Sequence, residues 1–538
     1  MFRWQNKEGL SALVKELVEI PSISQQPAEI AMAEHLYYTL GSLDYFKGKP
    51  DHLQLQPMPD GRKLLTAFVQ NGSHEDTIIL LSHFDVVNVE DFGDWKHLAF
   101  RPSELTEQFY QADTLPDGLK EEIEEEDWLF GRGTMDMKAG VALHMSMVEQ
   151  AAHGKFPGNI LMVSVPDEEV NSAGMLAAVP VLEQLKKQYS ITYKACLNGE
   201  PAFTRYPGDQ NHYLYTGTVG KILPGFLCYG RETHVGEPFG GLNGNLMASE
   251  ITRMLELNMD FCETMDDEAI PPPTNLVQKD LKDHYSVQIP HVAVTMFNLL
   301  MMERSLGDIN TQLLTLAKKA AKQIESFIYE RSLQYSKLVP FDVKETSISV
   351  FTFQELYQRA VELHGQEEIT RRENYILSNH PHLDDRDVTT MLVNDLASLC
   401  KQYAPMMVLF YAPPFYPAVC SKDDALIQQT SREVIQFAKE KHQVTLRKQN
   451  YFAGLSDLSY IGLPYEKNEL KPLLENMPIF GERYKLPIDE MAAMTMPVMN
   501  LGPLGRDAHK WTERLHVNSF VQTQDLISYT ISKLLTNE

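Results

Sequence analysis

In the first part of this chain, apolar runs end one after another on side chains that bind metal ions or carry protons. Residues 77–81 lead into Ser82-His83-Phe84-Asp85, and residues 127–130 into Gly131-Arg132-Gly133-Thr134-Met135-Asp136-Met137-Lys138-Ala139-Gly140. Residues 159–165 lead into Pro166-Asp167-Glu168-Glu169, and residues 193–197 into Asn198-Gly199-Glu200-Pro201. Short, nearly unbroken apolar runs read as buried strands. Helical spacing follows at about 141–153 and 173–188. Alternation of this kind predicts an α/β sheet with helices on its faces, and such sheets bind ligands outside the carboxyl ends of their strands. His83, Asp85, Asp136, Glu168, Glu169 and Glu200 all fall at that edge. Glycines around Asp136 let the backbone bend tightly and approach a ligand.

The remaining chain extends this plan. Residues 8–20 and 27–41 have helical spacing, and 64–69 reads as a further strand. Residues 88–127 read as an elaborated loop, rich in acidic and turn residues. From 211 to 405 the pattern changes to strand-like pieces (213–218, 221–229, 292–299, 347–353) and long helices (243–257, 311–335, 353–364), which predicts an inserted α+β domain. Pro271-Pro272-Pro273 and residues 367–387 read as loops within it. The α/β pattern is expected to resume with the apolar run at 406–412 and to close with a helix at 519–535. The expected organisation is one domain from 1–210 and 406–538, with 211–405 inserted.

Composition narrows the partners. Among 538 residues, 48 are basic and 73 acidic, a net charge of −25 that would repel nucleic-acid phosphates and anionic membranes. Part of the excess is the run Glu121, Glu122, Glu124, Glu125, Glu126 and Asp127, which lacks the alternating spacing of a calcium loop and reads as solvated. Cys196, Cys228, Cys262, Cys400 and Cys420 are scattered and form no CxxC pair, which fits a reducing compartment better than a disulfide framework. The first residues lack the apolar core of a signal peptide, and no run of about 18 apolar residues is present. A soluble cytoplasmic protein is expected.

A neutral histidine nitrogen together with several carboxylates suits a divalent ion such as zinc, with manganese or cobalt as alternatives. Two ions about 3.5–4 Å apart need a bridging carboxylate and can hold a water between them. That water needs a base that is not itself a ligand, and adjacent Glu168 and Glu169 can divide the two roles. His83 and Asp85, at i and i+2 on an extended segment, point to the same face, so Asp85 can orient the His83 ring. Each feature has a plainer reading. An HxD triplet is common, acidic residues before a helix favour its N-terminal end, and a lone histidine such as His509 carries no metal signal. The glycine-rich stretch lacks the order of a phosphate-binding loop.

The series Ser-His83-Phe-Asp85, Gly-Arg-Gly-Thr-Met-Asp136-Met-Lys, Asp-Glu168-Glu169 and Asn-Gly-Glu200-Pro resembles the M20 metallopeptidase family, which includes aminoacylases, carboxypeptidases and desuccinylases. The long insertion makes the chain most similar to the RocB-type arginine-utilisation proteins within it. The resemblance covers residues 80–240 and 500–515. It implies a zinc-peptidase-like catalytic domain with a mixed central sheet, plus an inserted α+β lid that commonly pairs two subunits. It implies His83, Asp136 and Glu200 on one ion, with Asp136 bridging to a second held by Glu169 and His509. Glu168 would be general base and acid, and Asp85 the partner of His83. The peptide after Asp136 is often cis in this family. On the lid, His234 in Thr233-His234-Val235-Gly236-Glu237-Pro238 would stabilise the oxyanion. The implied activity is hydrolysis of a peptide or N-acyl amino acid amide in amino-acid or arginine catabolism, with a homodimer possible. Two alternatives stand beside it: an inactive binding protein of arginine utilisation, and an aminopeptidase on small peptides. The sequence departs from the family in Val235-Gly236, where small residues are usual, in the length of the lid, and in the acidic insertion before Asp136.

Overall fold

The apolar runs form the middle of an eight-stranded mixed sheet. From edge to edge the strands are Leu53–Pro57, Lys63–Val69, Asn159–Val165, Asp76–His83, Thr192–Asn198, Val498–Asn500, His212–Tyr215 and Leu446–Gln449. The structure, a computed structural model, describes residues 2–537 apart from 126, 207 and 210. Asn159–Val165, Asp76–His83, Thr192–Asn198 and Val498–Asn500 run parallel. Register pairs His83 with Val165, Leu81 with Asn198, and Asn500 with Asn198. Their carboxyl ends therefore finish level, and the residues that follow each strand emerge along one edge.

Helices cover this sheet as their sequences require. Lys7–Val18 starts where the Asn6 side chain accepts from the Gly9 N–H at 2.8 Å, and buries Leu10, Leu13, Val14, Leu17 and Val18 on one face. Lys138–Ala152 is buried on every side, because it packs on the sheet and also against Lys7–Val18 and Val517–Thr536. Its fully buried Glu149 is paired with backbone, accepting from the N–H groups of Arg3 at 2.7 Å and Trp4 at 3.1 Å. Gly140, in its first turn, lies so close to the 198–200 turn that a Cβ there would sit 2.4 Å from the Gly199 carbonyl oxygen.

Two compact units are present. The first comprises Met1–Val219, Pro417–Pro464 and Pro487–Glu538, and the second Gly220–Tyr416 and Tyr465–Leu486. Both edges of the insertion differ from the expected 211–405. His212–Tyr215 pairs with Leu446–Gln449 in the first unit's sheet. The apolar run at 406–412, read as the return of the α/β pattern, lies instead in Met406–Tyr416, a strand of the second unit, antiparallel to Gly220–Tyr229 and parallel to Ser349–Thr352. It is buried along its whole length, a pattern shared by central strands of any sheet, so its apolar run does not say which sheet it joins. The second unit's five-stranded sheet runs Thr274–Asp280, Val292–Met301, Gly220–Tyr229, Met406–Tyr416, Ser349–Thr352.

Two stretches read as loops contain helices. Gln366–Asn379 and the start of Asp385–Leu399 occupy residues 367–387; the first of these buries only Ile369 and Ile376, too few to set a visible period. Within 88–127, Pro102–Gln111 and Leu119–Glu125 are helical, and Val89, Phe92, Leu105, Phe109, Leu119, Ile123, Trp128 and Phe130 form a small core of their own. The acidic run is thus partly helix, and its Glu122 pairs with Arg514 and Arg506; Glu126 lies outside the described residues. All five cysteines are free. No helix among the described residues is long and apolar enough to cross a membrane.

Replacing Gly140 with alanine forces the central helix away from the strand end that carries Glu200. The expected loss is about 1–3 kcal/mol, as for other overpacked sites, read as a lower denaturation midpoint. An unchanged midpoint would show that this strand end yields freely.

Candidate metal centre

His83 is the last residue of its strand, and its ring reaches across the carboxyl edge of the sheet. Nε2 lies 3.4 Å from Asp136 Oδ1, 3.4 Å from Glu200 Oε1 and 3.8 Å from Glu168 Oε2. His509 Nε2 lies 3.3 Å from the other Asp136 oxygen, Oδ2, and 3.0 Å from Glu169 Oε2. The two oxygens of Asp136 thus face two different histidines. Donors about 2.0–2.1 Å from a tetrahedral ion stand about 3.3–3.4 Å from one another. The separations around His83 and His509 fit that spacing on both sides of Asp136. Ligand atoms of His83, Glu168 and Glu200, and of His83, Asp136 and Glu169, also fall within 4.8 Å of one another.

Each donor is delivered by local structure. Glu200 follows the strand Thr192–Asn198, and its backbone carbonyl accepts from Asn500 Nδ2 at 3.1 Å. Asp136 sits in the turn before helix Lys138–Ala152, and its peptide bond to Met137 is cis. Glu168 and Glu169 leave their strand through Asp167, a non-glycine residue at φ 69°. That turn is held from several sides. Asp167 N–H donates to Glu29 at 3.0 Å, and Arg62 Nη1 lies 2.9 Å from the Asp167 carboxylate and 3.2 Å from that of Glu29. His509 also has a left-handed backbone, φ 64°, in a segment pinned by Asp507, which accepts from Lys510, Thr512 and Arg514. Strained backbone of this kind collects at functional sites.

Asp85 does more than face His83. His83 Nδ1 is 3.1 Å from the backbone carbonyl of Asp85 and 3.5 Å from its carboxylate, so main chain and side chain both fix the ring. The same carboxylate accepts from the backbone N–H of Glu168 at 3.0 Å and of Glu169 at 3.3 Å, and from Ser24 Oγ at 2.7 Å. Asp85 therefore ties the His83 strand to the Glu168-Glu169 turn.

Burial and mutual charge govern the protons here. Burial raises Glu200 to about 7 against the pull of His83. Burial, reinforced by Glu200 and Asp457, lifts Glu168 well above the carboxylate range, and burial with the Asp136 charge raises Glu169. For the imidazoles, burial works the other way and is outweighed. The Glu200 charge and the bonds to Asp136 and Asp85 hold His83 well above its ordinary value, and Asp136 and Glu169 hold His509 up to about 11. Asp136, buried but between both rings, stays well below the usual carboxylate range. Excess negative charge of this kind is what divalent cations neutralise.

Three features escape the sequence patterns. Glu513, nearly fully buried, accepts from the turn that carries Asp136. Asp457, in a short helical turn, is also buried, and burial beside Asp85 and Glu200 raises it to about 8. Glu29 and Arg62 brace Asp167. Glu513 falls within the 500–515 stretch that the resemblance covers but is given no role by it, the others sit in no motif, and only the folded chain brings them to the site. His234 lies in the second unit, exposed, with Nδ1 accepting from the Gly236 N–H at 3.0 Å, which leaves Nε2 as the ring's donor.

Residues 79–472 match the model of peptidase family M20/M25/M40. The chain is 51% identical to the uncharacterized protein YqjN of Bacillus subtilis over 99% of its own length and 97% of that protein's. It is 30% identical to RocB of the same organism over 95% of its length and 92% of RocB. The structure superimposes on an M20 family metallo-carboxypeptidase from Sulfolobus solfataricus with a TM-score of 0.55 at 11% identity, covering 98% of this chain and 99% of the other, a likeness of fold. The chain belongs to peptidase family M20/M25/M40, a family of metal-dependent peptidases and amidohydrolases.

Proposed function

We propose that this protein is a two-ion amidohydrolase that cleaves a peptide or N-acyl amino acid amide, with Glu168 as the proton carrier. The observation that carries the reading is Asp136, whose two oxygens face His83 and His509 separately. His83 and Glu200 would hold one ion, Glu169 and His509 the other, and Asp136 both. Ions so held supply Lewis-acid polarisation of the amide carbonyl and make water acidic near neutral pH. Zinc suits the nitrogen and oxygen donors, with manganese and cobalt fitting the same set.

Glu168 is suited to proton transfer by its environment. Its carboxylate lies farther from His83 than those of Asp136 and Glu200, and burial keeps its proton affinity high. It would take a proton from the attacking water and return it to the leaving nitrogen, so that water and amide give acid and amine. Asp85 would hold both His83 and the Glu168 backbone. His234, with its donor on Nε2, would act from the second unit, serving as a lid and as a pairing surface between two subunits, by donating to the oxyanion. The resemblance of the sequence to arginine-utilisation proteins makes an amino acid-derived substrate, acylated or peptidyl arginine, the first to test, and the free thiols fit a cytoplasmic enzyme.

Glu168→Gln is expected to lower kcat by about 10²–10⁴-fold with full metal content, whereas Glu200→Ala loses metal. The check is elemental analysis beside turnover of an N-acyl amino acid panel, and near-normal turnover in Glu168→Gln would sink the assignment. His234→Ala should cost about 10²–10³-fold in kcat while leaving the ions bound.

Metal uptake should also release protons. In the metal-free protein both rings hold protons above the ordinary imidazole value of about 6.5, His509 up to about 11. Their pairing stabilises the metal-free fold below about 6.5, and for His509 that contribution is lost as pH rises through about 11. Ion binding must displace those protons, so affinity should rise with pH across that window. Calorimetric titration in two buffers of different ionisation heat measures the release; none at pH 7 would exclude both histidines as ligands.

A further inference from the structure

A site of this kind needs its ligands held apart at fixed distances, and one buried carboxylate does so without facing either ring. Glu513 is 1% exposed. Its Oε1 accepts from the backbone N–H groups of Gly133 at 2.8 Å, Met135 at 3.3 Å and Asp136 at 3.3 Å. Its Oε2 accepts from Arg132 Nη1 at 2.7 Å, and Arg132 is held in turn by Asp91 at 2.8 Å. A single side chain thus gathers the N–H groups of the turn that delivers Asp136. Glu513 also belongs to the segment that carries His509, and its own backbone N–H donates to the Lys510 carbonyl at 2.9 Å.

We infer that Glu513 is a positioning residue: it couples the Asp136 turn to the His509 segment and so sets the affinity for the ion between Asp136, Glu169 and His509, without binding that ion. The inference rests on the two-ion reading. The chemistry of the contacts explains why a carboxylate stands here. Three N–H donors converge on one oxygen, which a charged acceptor satisfies more strongly than a neutral one. The other oxygen meets a guanidinium, which compensates the buried charge. Glutamine has the same shape but only one acceptor oxygen. In either orientation its amide N–H₂ confronts donors, from Arg132 or from the turn. The side chain on the segment that supplies one ligand thereby fixes the backbone that supplies the other.

The test is Mn²⁺ titration of the metal-stripped full-length chain, by calorimetry and by electron paramagnetic resonance of the exchange-coupled ion pair. Wild type should take two ions. Glu513→Gln should weaken the first ion, which shares Asp136, by less than about tenfold, and the second, which depends on Asp136 and on the His509 segment together, by about 10–100-fold, the usual effect of removing a partner that orients a ligand, with loss of the coupled signal at stoichiometric metal. Glu513→Asp, which keeps the charge but withdraws it by one methylene, should show the same selective loss and carries the test if the glutamine variant fails to fold. Unchanged affinity for both ions, with only a lower melting temperature, would make Glu513 a brace of the fold and overturn the inference. Wild-type protein that takes one ion or none would instead overturn the two-ion reading itself, so the two failures are told apart.

Discussion

Like charges buried together are the constraint on which the first unit depends. Asp85, Asp136, Glu168, Glu169, Glu200 and Asp457 lie within interaction range of one another, and each is largely removed from water. Two carboxylates about 4 Å apart repel by about 4 kcal/mol at an effective dielectric of 20. Such a group persists only with compensating positive charge, from the imidazolium rings of His83 and His509, from retained protons, or from cations. Chemistry and stability are therefore coupled at this edge. The arrangement that makes the site reactive also makes it unfavourable without a counter-charge.

The sheet makes the crowding possible. Parallel strands in level register bring His83, Glu168-Glu169 and Glu200 to one edge, although long stretches of chain separate them. Other buried side chains then fix the turns. Asp85 collects the N–H groups of Glu168 and Glu169, Glu513 those of the Asp136 turn, while Glu29 and Arg62 hold Asp167. In each case a buried carboxylate is satisfied by main-chain N–H donors, an arrangement that rigidifies polar interiors when every member has a partner.

What the sequence discloses follows from how local each feature is. Strand ends bearing His83, Asp136, Glu168 and Glu200 are legible, because each combines an apolar run with the polar residues that immediately follow it. His509 is legible only through family resemblance, since no strand announces it. The roles of Glu513 and Asp457 are illegible: Glu513 lies in a stretch that the resemblance covers, but its partners are hundreds of positions away, and Asp457 sits in no recognisable pattern. The second unit's edges were displaced for a related reason. Met406–Tyr416 is apolar throughout, and burial on both faces erases the alternation that would tell one sheet from another. The helices within 88–127 and 367–387 were hidden by acidic residues between sparse apolar positions, which follow no clear period.

Assembly of the first unit from three separated stretches of chain has a consequence for the order of events in its synthesis. Domains tend to fold as their sequence emerges, amino-terminal parts first. His83, Asp136 and Glu200 leave the ribosome before the whole of the second unit, but His509 and Glu513 follow it, and so does the strand Val498–Asn500 that completes the parallel edge. Until then the centre is a half-formed cluster of carboxylates with one ring among them. The pairing of each Asp136 oxygen with its own histidine is a property of the finished chain, acquired late, when a distant segment brings His509 to side chains that emerged early in translation.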